Sequence, residues 1–277
     1  MGREDSADES ALSGEPQLIA HRGYDGENPE NTIPAVRAAA SDSRTDAIEI
    51  DVRATRDGEI IVFHDDDLSR LTDAPMSICD TPIWELSYET LSGYTIGDSD
   101  ASIPTLTAVL AAIPASITVN IELKHPGCEG VRPGLVDTET RAAAIDRWNP
   151  FVRQVFDIAT TTEHDILASS FYEGALAAAR ATAPTIPLAP LVGDSVETAL
   201  IIADRYDAAA IHPSIDLLFT ESLCLSSAGK SLREAAQTAD WQLNVWTITT
   251  QTAAVSLQKL GVDGIISETP EIVPLTW

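Results

Sequence analysis

The chain has 277 residues, 44% of them hydrophobic, which is enough for one large core of the size that an α/β barrel of about 250 residues encloses. No apolar run approaches the roughly 20 residues of a membrane span, and the polar opening MGREDSADESALSGEPQ lacks the apolar stretch of a secretory signal. With 43 acidic against 17 basic residues and a net charge of −26, the chain repels nucleic acid and anionic membranes, so neither nucleic acid nor stable membrane association is expected.

That charge exceeds what solubility requires and is expected to reflect adaptation to high salt, where screening removes the self-repulsion. Lysine is confined to Lys124, Lys230 and Lys259. The cysteines Cys79, Cys128 and Cys224 are far apart, form no CxxC pair and read as free thiols, in keeping with a reducing, cytoplasmic setting. Residues 1–15 are expected to be a disordered acidic leader and residues 16–277 a single domain.

In chain order, strands are expected at Leu18–Ala20, Ala47–Asp51, Ile60–Phe63 and Thr118–Leu123. Further strands are expected at Ile166–Ser169, Pro187–Leu191, Ala209–Ile211, Leu243–Thr247 and Gly264–Ser267. Most are unbroken apolar runs, as in parallel strands covered on both faces. Between them, Asn31-Thr32 precede a helix to about Ala40, with Pro34 tolerated in its first turn. Other helices are expected over Thr105–Ile113, Thr138–Trp148 continuing past Pro150 toward Ile158, Phe171–Ala181, Ser231–Ala239 and Thr252–Leu260, the last closed by Gly261. Asp194 is expected to cap Val196–Tyr206, with Glu197 completing a capping box. This alternation predicts an α/β fold, an irregular (β/α)8 TIM barrel. It is irregular because nine runs compete for eight staves and the link from Asp51 to Ile60 is too short for a helix. Residues 65–104, rich in Pro and Gly, form an insertion between strands 3 and 4.

Polar residues recur at the C-terminal ends of these strands, the rim where barrels place their chemistry: His21-Arg22, Glu49 and Asp51, His64-Asp65, and Glu122 and Lys124. Glu49 and Asp51 are two apart in a strand and share a face. Taken alone, they are equally compatible with a buried ion pair from Glu49 to an arginine such as Arg53. Glu122 as a third oxygen ligand favours a hard divalent cation, Mg²⁺ or Ca²⁺. Two histidines on adjacent strands, His21 and His64, suit general acid and base roles, with Asp65 orienting His64. Arg22 and Lys124 beside an acidic cluster point to an anionic group such as phosphate, or to charge balance for the carboxylates. His125 is placed at the rim, His164 in an exposed loop, and His212 at a strand end.

In order, these residues resemble the glycerophosphodiester phosphodiesterase family. The resemblance is carried by His21-Arg22-Gly23 with Pro29-Glu30-Asn31-Thr32, by Glu49-Ile50-Asp51-Val52, by Thr55-Arg56-Asp57-Gly58 and by Val62-Phe63-His64-Asp65. It continues through Ile103-Pro104-Thr105-Leu106, Asn120-Ile121-Glu122-Leu123-Lys124, Ser169-Ser170-Phe171, Val245-Trp246-Thr247 and Gly261-Val262-Asp263-Gly264-Ile265-Ile266. The set spans nearly the whole chain. It implies a barrel, one divalent cation on Glu49, Asp51 and Glu122, and His21 and His64 as the acid/base pair. It also implies phosphate contacts from Arg22 and Lys124, a substrate-binding role for Trp246, and Glu30 and Asn31 shaping the first loop near the metal. The loop from Tyr24 to Asn28 is more acidic than a phosphate site suggests.

The expected activity is metal-dependent hydrolysis of a small-molecule glycerophosphodiester to glycerol phosphate and an alcohol. A phospholipase acting on intact lipid would need an apolar or basic rim, for which Trp84, Tyr88 and Tyr94 in the insertion are the candidates. A phosphate- or cation-binding barrel without activity would have no need of both histidines together with all three carboxylates.

Overall fold

In the computed structural model the described residues are 15–220 and 224–272. The expected leader, Glu15 apart, lies outside the described residues. Nine strands share one sheet: β1 (Gln17–Ala20), β2 (Ala47–Ala54), β3 (Ile60–Val62), β4 (Thr118–Leu123), β5 (Ile166–Ser170), β6 (Leu188–Val192), β7 (Ala210–Pro213), β8 (Gln242–Ile248) and β9 (Gly264–Ser267). Their order is β1-β9-β8-β7-β6-β5-β4-β2-β3, and β1 also pairs with β2. Eight parallel strands thus close into the expected barrel. The first seven residues of β2 are all buried, as they must be with helices on one side and the barrel interior on the other.

The ninth candidate resolves both irregularities. β3 pairs antiparallel with β2, from Val52↔Val62 to Ala54↔Ile60, and is not a barrel stave. The short link from Asp51 to Ile60 is therefore no helix-poor crossover. Antiparallel neighbours need only a tight turn, whereas parallel ones need a dozen residues or more. The turn is built by the Thr55 hydroxyl, which donates to Asp57 and accepts from the Glu59 N–H, with Gly58 at φ +85°. The insertion follows β3 and so falls between the second and third staves. Around Phe63, Leu68, Ile83, Leu91, Ile96 and Ile103 it has a small core of its own. It returns to β3 through the Val62 N–H, which donates to Pro104 O at 2.9 Å.

The helices are α1 (Ile33–Ser41), α2 (Tyr88–Leu91, inside the insertion), α3 (Leu106–Ala112), α4 (Arg141–Ala159), α5 (Glu173–Thr182), α6 (Val196–Arg205), α7 (Ile215–Leu218), α8 (Ser227–Ala239) and α9 (Gln251–Leu260). Hydroxyls at Thr32, Thr105, Ser226 and Thr250 cap α1, α3, α8 and α9. The cap of α6 is Ser195, which accepts from the Thr198 N–H, rather than Asp194. The helix starts at Val196, so Asp194 sits one residue too early to reach the free N–H groups. α4 runs unbroken through Pro150, held by Trp148, Phe151, Val152, Val155 and Phe156 buried on the sheet side.

Candidate active site

Strand alternation sends Glu49 and Asp51 of β2 to the same face. The parallel register of β2 and β4 then sets Glu49 beside Asn120 and Asp51 beside Glu122. One carboxylate oxygen from each of Glu49, Asp51 and Glu122 falls within 4.8 Å of the other two, and all three residues are buried. Two cations reach in from the rim. The Lys124 ammonium lies 3.0 Å from Asp51 Oδ1 and 2.6 Å from Glu122 Oε1, and Arg22 Nε lies 3.1 Å from Asp51 Oδ2. Asn31, just past the first loop, donates from Nδ2 to Asp51 Oδ2 at 2.8 Å, and its Oδ1 accepts the Asp51 N–H.

The charge balance is uneven. Burial favours protonation of Asp51, but Lys124 and Arg22 outweigh it and hold this carboxyl well below its usual range. Glu49 accepts the Arg22 backbone N–H at 3.1 Å and has no salt-bridged cation among the described residues. Burial and the neighbouring Asp51 charge push it up to about 8. Three buried carboxyls thus share two cations, Lys124 and Arg22, with Glu49 kept protonated. Three hard oxygen donors placed in this way fit a divalent cation of the Mg²⁺ or Ca²⁺ type, whose charge would let Glu49 ionise.

Both histidines line a cavity of about 220 Å³ together with Glu49, Glu122, Arg22 and Lys124. Each ring is anchored at Nδ1 by a carboxylate: His21 by Asp25 at 3.0 Å, and His64 by Asp65 at 2.6 Å. Each Nε2 is left for chemistry. The arginines organise the surrounding shell. Arg53 donates twice to the His64 carbonyl, at 3.0 and 2.6 Å, and pairs with Asp66 at 2.7 Å. It therefore fixes the backbone at His64 and is not the partner of Glu49. Glu30 bridges Arg22 (2.8 Å) and Arg70 (2.8 Å), and Arg70 holds Asp65 at 2.6 Å. One continuous chain, Arg22–Glu30–Arg70–Asp65–His64, thus ties the first loop to the insertion. Trp246 closes the cavity wall, donating Nε1 to His212 O at 2.7 Å and meeting Phe171 edge-on at 5.6 Å.

The Glycerophosphoryl diester phosphodiesterase family model matches residues 21–272, from His21 to the last described residue. The chain belongs to this family. Its reaction is hydrolysis of a glycerophosphodiester, and it is an enzyme of the phosphoric diester hydrolase class. A glycerophosphodiester phosphodiesterase of Bacillus altitudinis is 29% identical over 265 residues, covering 92% of this chain and 95% of its own. One from Caldanaerobacter subterraneus subsp. tengcongensis is 29% identical over 262 residues, covering 92% and 94%. Among solved structures, an Oleispira antarctica phosphodiesterase in complex with the product sn-glycerol-3-phosphate superposes with a TM-score of 0.74 at 26% identity, covering 92% of this chain and 94% of that one.

All the singled-out family residues gather at this rim: His21, Arg22, Glu30, Asn31, Glu49, Asp51, His64, Asp65, Glu122, Lys124 and Trp246. Glu30 reaches arginines, while Asn31 is the one that braces a carboxylate of the cluster. The structure gives places at the site to residues that carry no role of their own in the sequence. Asp25 explains the acidic first loop, since it lies four residues past His21 and receives its ring. Asn120 and Ser169 line the cavity with buried Oδ1 and Oγ atoms that have no protein partner. Gly23 belongs here too: a Cβ on it would lie 2.8 Å from the Ala35 carbonyl carbon of α1, so only glycine lets the loop seat on that helix. His164 is half-buried against Ile113 O rather than in an exposed loop. His212 is fully buried and does not line the cavity.

Proposed function

We propose that the chain hydrolyses glycerophosphodiesters to glycerol phosphate and an alcohol by general acid/base catalysis with His21 and His64, using one divalent cation on Glu49, Asp51 and Glu122. The observation that carries this reading is the convergence of two carboxylate-anchored imidazoles on one cavity with an under-neutralised carboxylate trio. When bound, the cation supplies Lewis-acid neutralisation of the phosphoryl oxygens. Arg22 and Lys124 line the same cavity and steady the phosphate as charge builds on it. One imidazole Nε2 takes the proton from the attacking group, and the other gives a proton to the departing alkoxide as its bond to phosphorus breaks; attack by water gives glycerol phosphate directly, whereas attack by the neighbouring glycerol hydroxyl gives a cyclic phosphate that water then opens. Asp25 and Asp65 keep the Nδ1 proton in place, which fixes the reactive tautomer. Trp246 walls the substrate. The named product in the Oleispira antarctica complex supports glycerol phosphate as the product here.

No described helix is long and apolar enough to cross a membrane. Tyr88 and Tyr94 pack partly on the insertion core, and Trp84 meets the His125 ring at 5.1 Å, so each of these aromatics has a partner within the fold. Free cysteines support a reducing, cytoplasmic setting. His21→Ala and His64→Ala are each expected to lower kcat by about 10²–10⁴-fold while far-UV circular dichroism stays that of the wild type. Undiminished turnover by either variant would remove that histidine from the mechanism.

A further inference from the structure

A second cavity, of about 460 Å³, adjoins the first, and His64, Glu122, Lys124 and Phe171 line both. Three of these four belong to the proposed reaction centre: His64 to proton transfer, Glu122 to the cation and Lys124 to the phosphate. A phosphodiester has two arms, so a phosphate held at this junction directs one arm into each cavity. The two cavities differ in chemistry. In the first, Asn120 Oδ1 and Ser169 Oγ are buried without a protein partner, which suits the hydroxyls of the glycerol arm. The second is walled by the rings of Tyr172, His125 and Phe171, by the carboxylates Asp66 and Asp67, and by Arg53, whose charge is balanced by Asp66.

Each of these groups can be followed to its partner. Asp65 is committed to His64 and Arg70, and Asp66 to Arg53. Asp67 accepts only from the Ser69 N–H, at 2.9 Å, and the Ser69 hydroxyl, at 2.6 Å, and has no ion pair among the described residues. The ring centroids of His125 and Tyr172 are 6.1 Å apart in an edge-to-face arrangement. Burial lowers the His125 pKa, so near neutral pH the ring presents no charge. An aromatic wall beside an unpaired carboxylate attracts a cation, offers little to a neutral group and repels an anion.

Resting on the proposed reaction, we infer that the second cavity is the site of the leaving alcohol and selects a cationic one, an ammonium-bearing alcohol of the choline or ethanolamine kind. Asp67 and Tyr172 are its specificity-determining residues. The ammonium sits between the Asp67 carboxylate and the Tyr172 ring while the alcohol oxygen stays at the phosphorus beside His64.

Three diesters sharing the same glycerophosphate separate the outcomes: those of choline, of ethanolamine, and of 3,3-dimethylbutanol, the neutral carbon isostere of choline. With the full chain and Mg²⁺ at low ionic strength, kcat/KM should be about tenfold higher for the choline diester than for its isostere. Asp67→Asn should reduce that ratio about threefold. Tyr172→Leu should reduce it more for the quaternary than for the primary ammonium, since the ring favours the larger, softer cation. Asp157→Asn, on the exposed far side of α4, removes the same formal charge and should leave the ratio unchanged, which separates a local effect from the overall −26. Equal kcat/KM for the choline diester and its isostere, or a ratio unmoved by Asp67→Asn, would overturn the inference while leaving the proposed reaction intact. Failure to hydrolyse any of the three would instead overturn the reaction on which it rests.

Discussion

His212 shows how position alone sets the chemistry of a side chain. It ends a strand, as His21 does, yet it is sealed between β7 and β8, where Asn244 Nδ2 donates to its Nε2 at 3.1 Å. Burial pushes its pKa down to about 3. The folded protein therefore keeps this ring neutral, while an unfolded histidine takes up a proton below about pH 6.5. The unfolded state binds the extra proton throughout that window, so stability falls as pH drops from about 6.5 toward 3. The slope is up to about 1.4 kcal/mol per pH unit. Between pH 7 and pH 5 the wild type should lose about 2 kcal/mol more than His212→Gln in urea unfolding. An equal loss in both proteins would show that His212 is not held neutral. His21 and His64, proposed above as the acid/base pair, are by contrast legible from their neighbours in sequence: His21-Arg22-Gly23 and His64-Asp65 carry their own context. Asp25 and Arg70 are not. A carboxylate four residues past a histidine, or an arginine inside a Pro- and Gly-rich insertion, has no pattern of its own. Only the fold brings Asp25 to the His21 ring and Arg70 between Glu30 and Asp65.

Among the elements, β3 and α5 support the site that β2 and β4 build. β3 gives β2 an antiparallel partner beyond the barrel rim, which carries His64 back over the carboxylates of β2 and starts the insertion that supplies Arg70. A run of four apolar residues looks the same whether it becomes a stave or a hairpin strand, so periodicity alone does not distinguish β3 from the eight staves. α5 begins with Glu173, fully buried directly after the cavity residues Phe171 and Tyr172. Its carboxylate accepts the Val136 N–H and the Tyr206 hydroxyl (2.8 Å), and pairs with Arg205 at 2.5 Å and Arg141 at 3.3 Å. Burial works against the charge, but these donors outweigh it and hold the pKa below the usual range. Glu173→Ala would strand two guanidinium groups and the Val136 N–H, and should destabilise the fold by about 2–4 kcal/mol. Thermal or urea unfolding checks this. A loss below about 1 kcal/mol would mean the cluster is only surface charge balance.

At the scale of the whole molecule, the barrel does for this chain what no local motif does. Glu49, Asp51, Asn120 and Glu122 are separated by as many as 73 positions, yet the β2–β4 register makes them neighbours. The fold class was legible because short apolar strands, hydroxyl caps and helix stops agree with one another along the chain. The carboxylate cluster is legible because acidic residues recur at the same rim position of different strands. The second cavity is not, because Asp67, His125 and Tyr172 come from three separate loops, and only closure of the barrel sets them around one space. The proposed reaction requires a hard divalent cation on the carboxylate trio. It is tested most directly by release of glycerol phosphate from glycerophosphocholine by protein stripped of metal with EDTA, then supplied with Mg²⁺ or Ca²⁺. Turnover should fall to background without the cation and return when either ion is added. Full turnover by a protein shown by elemental analysis to be metal-free would contradict it.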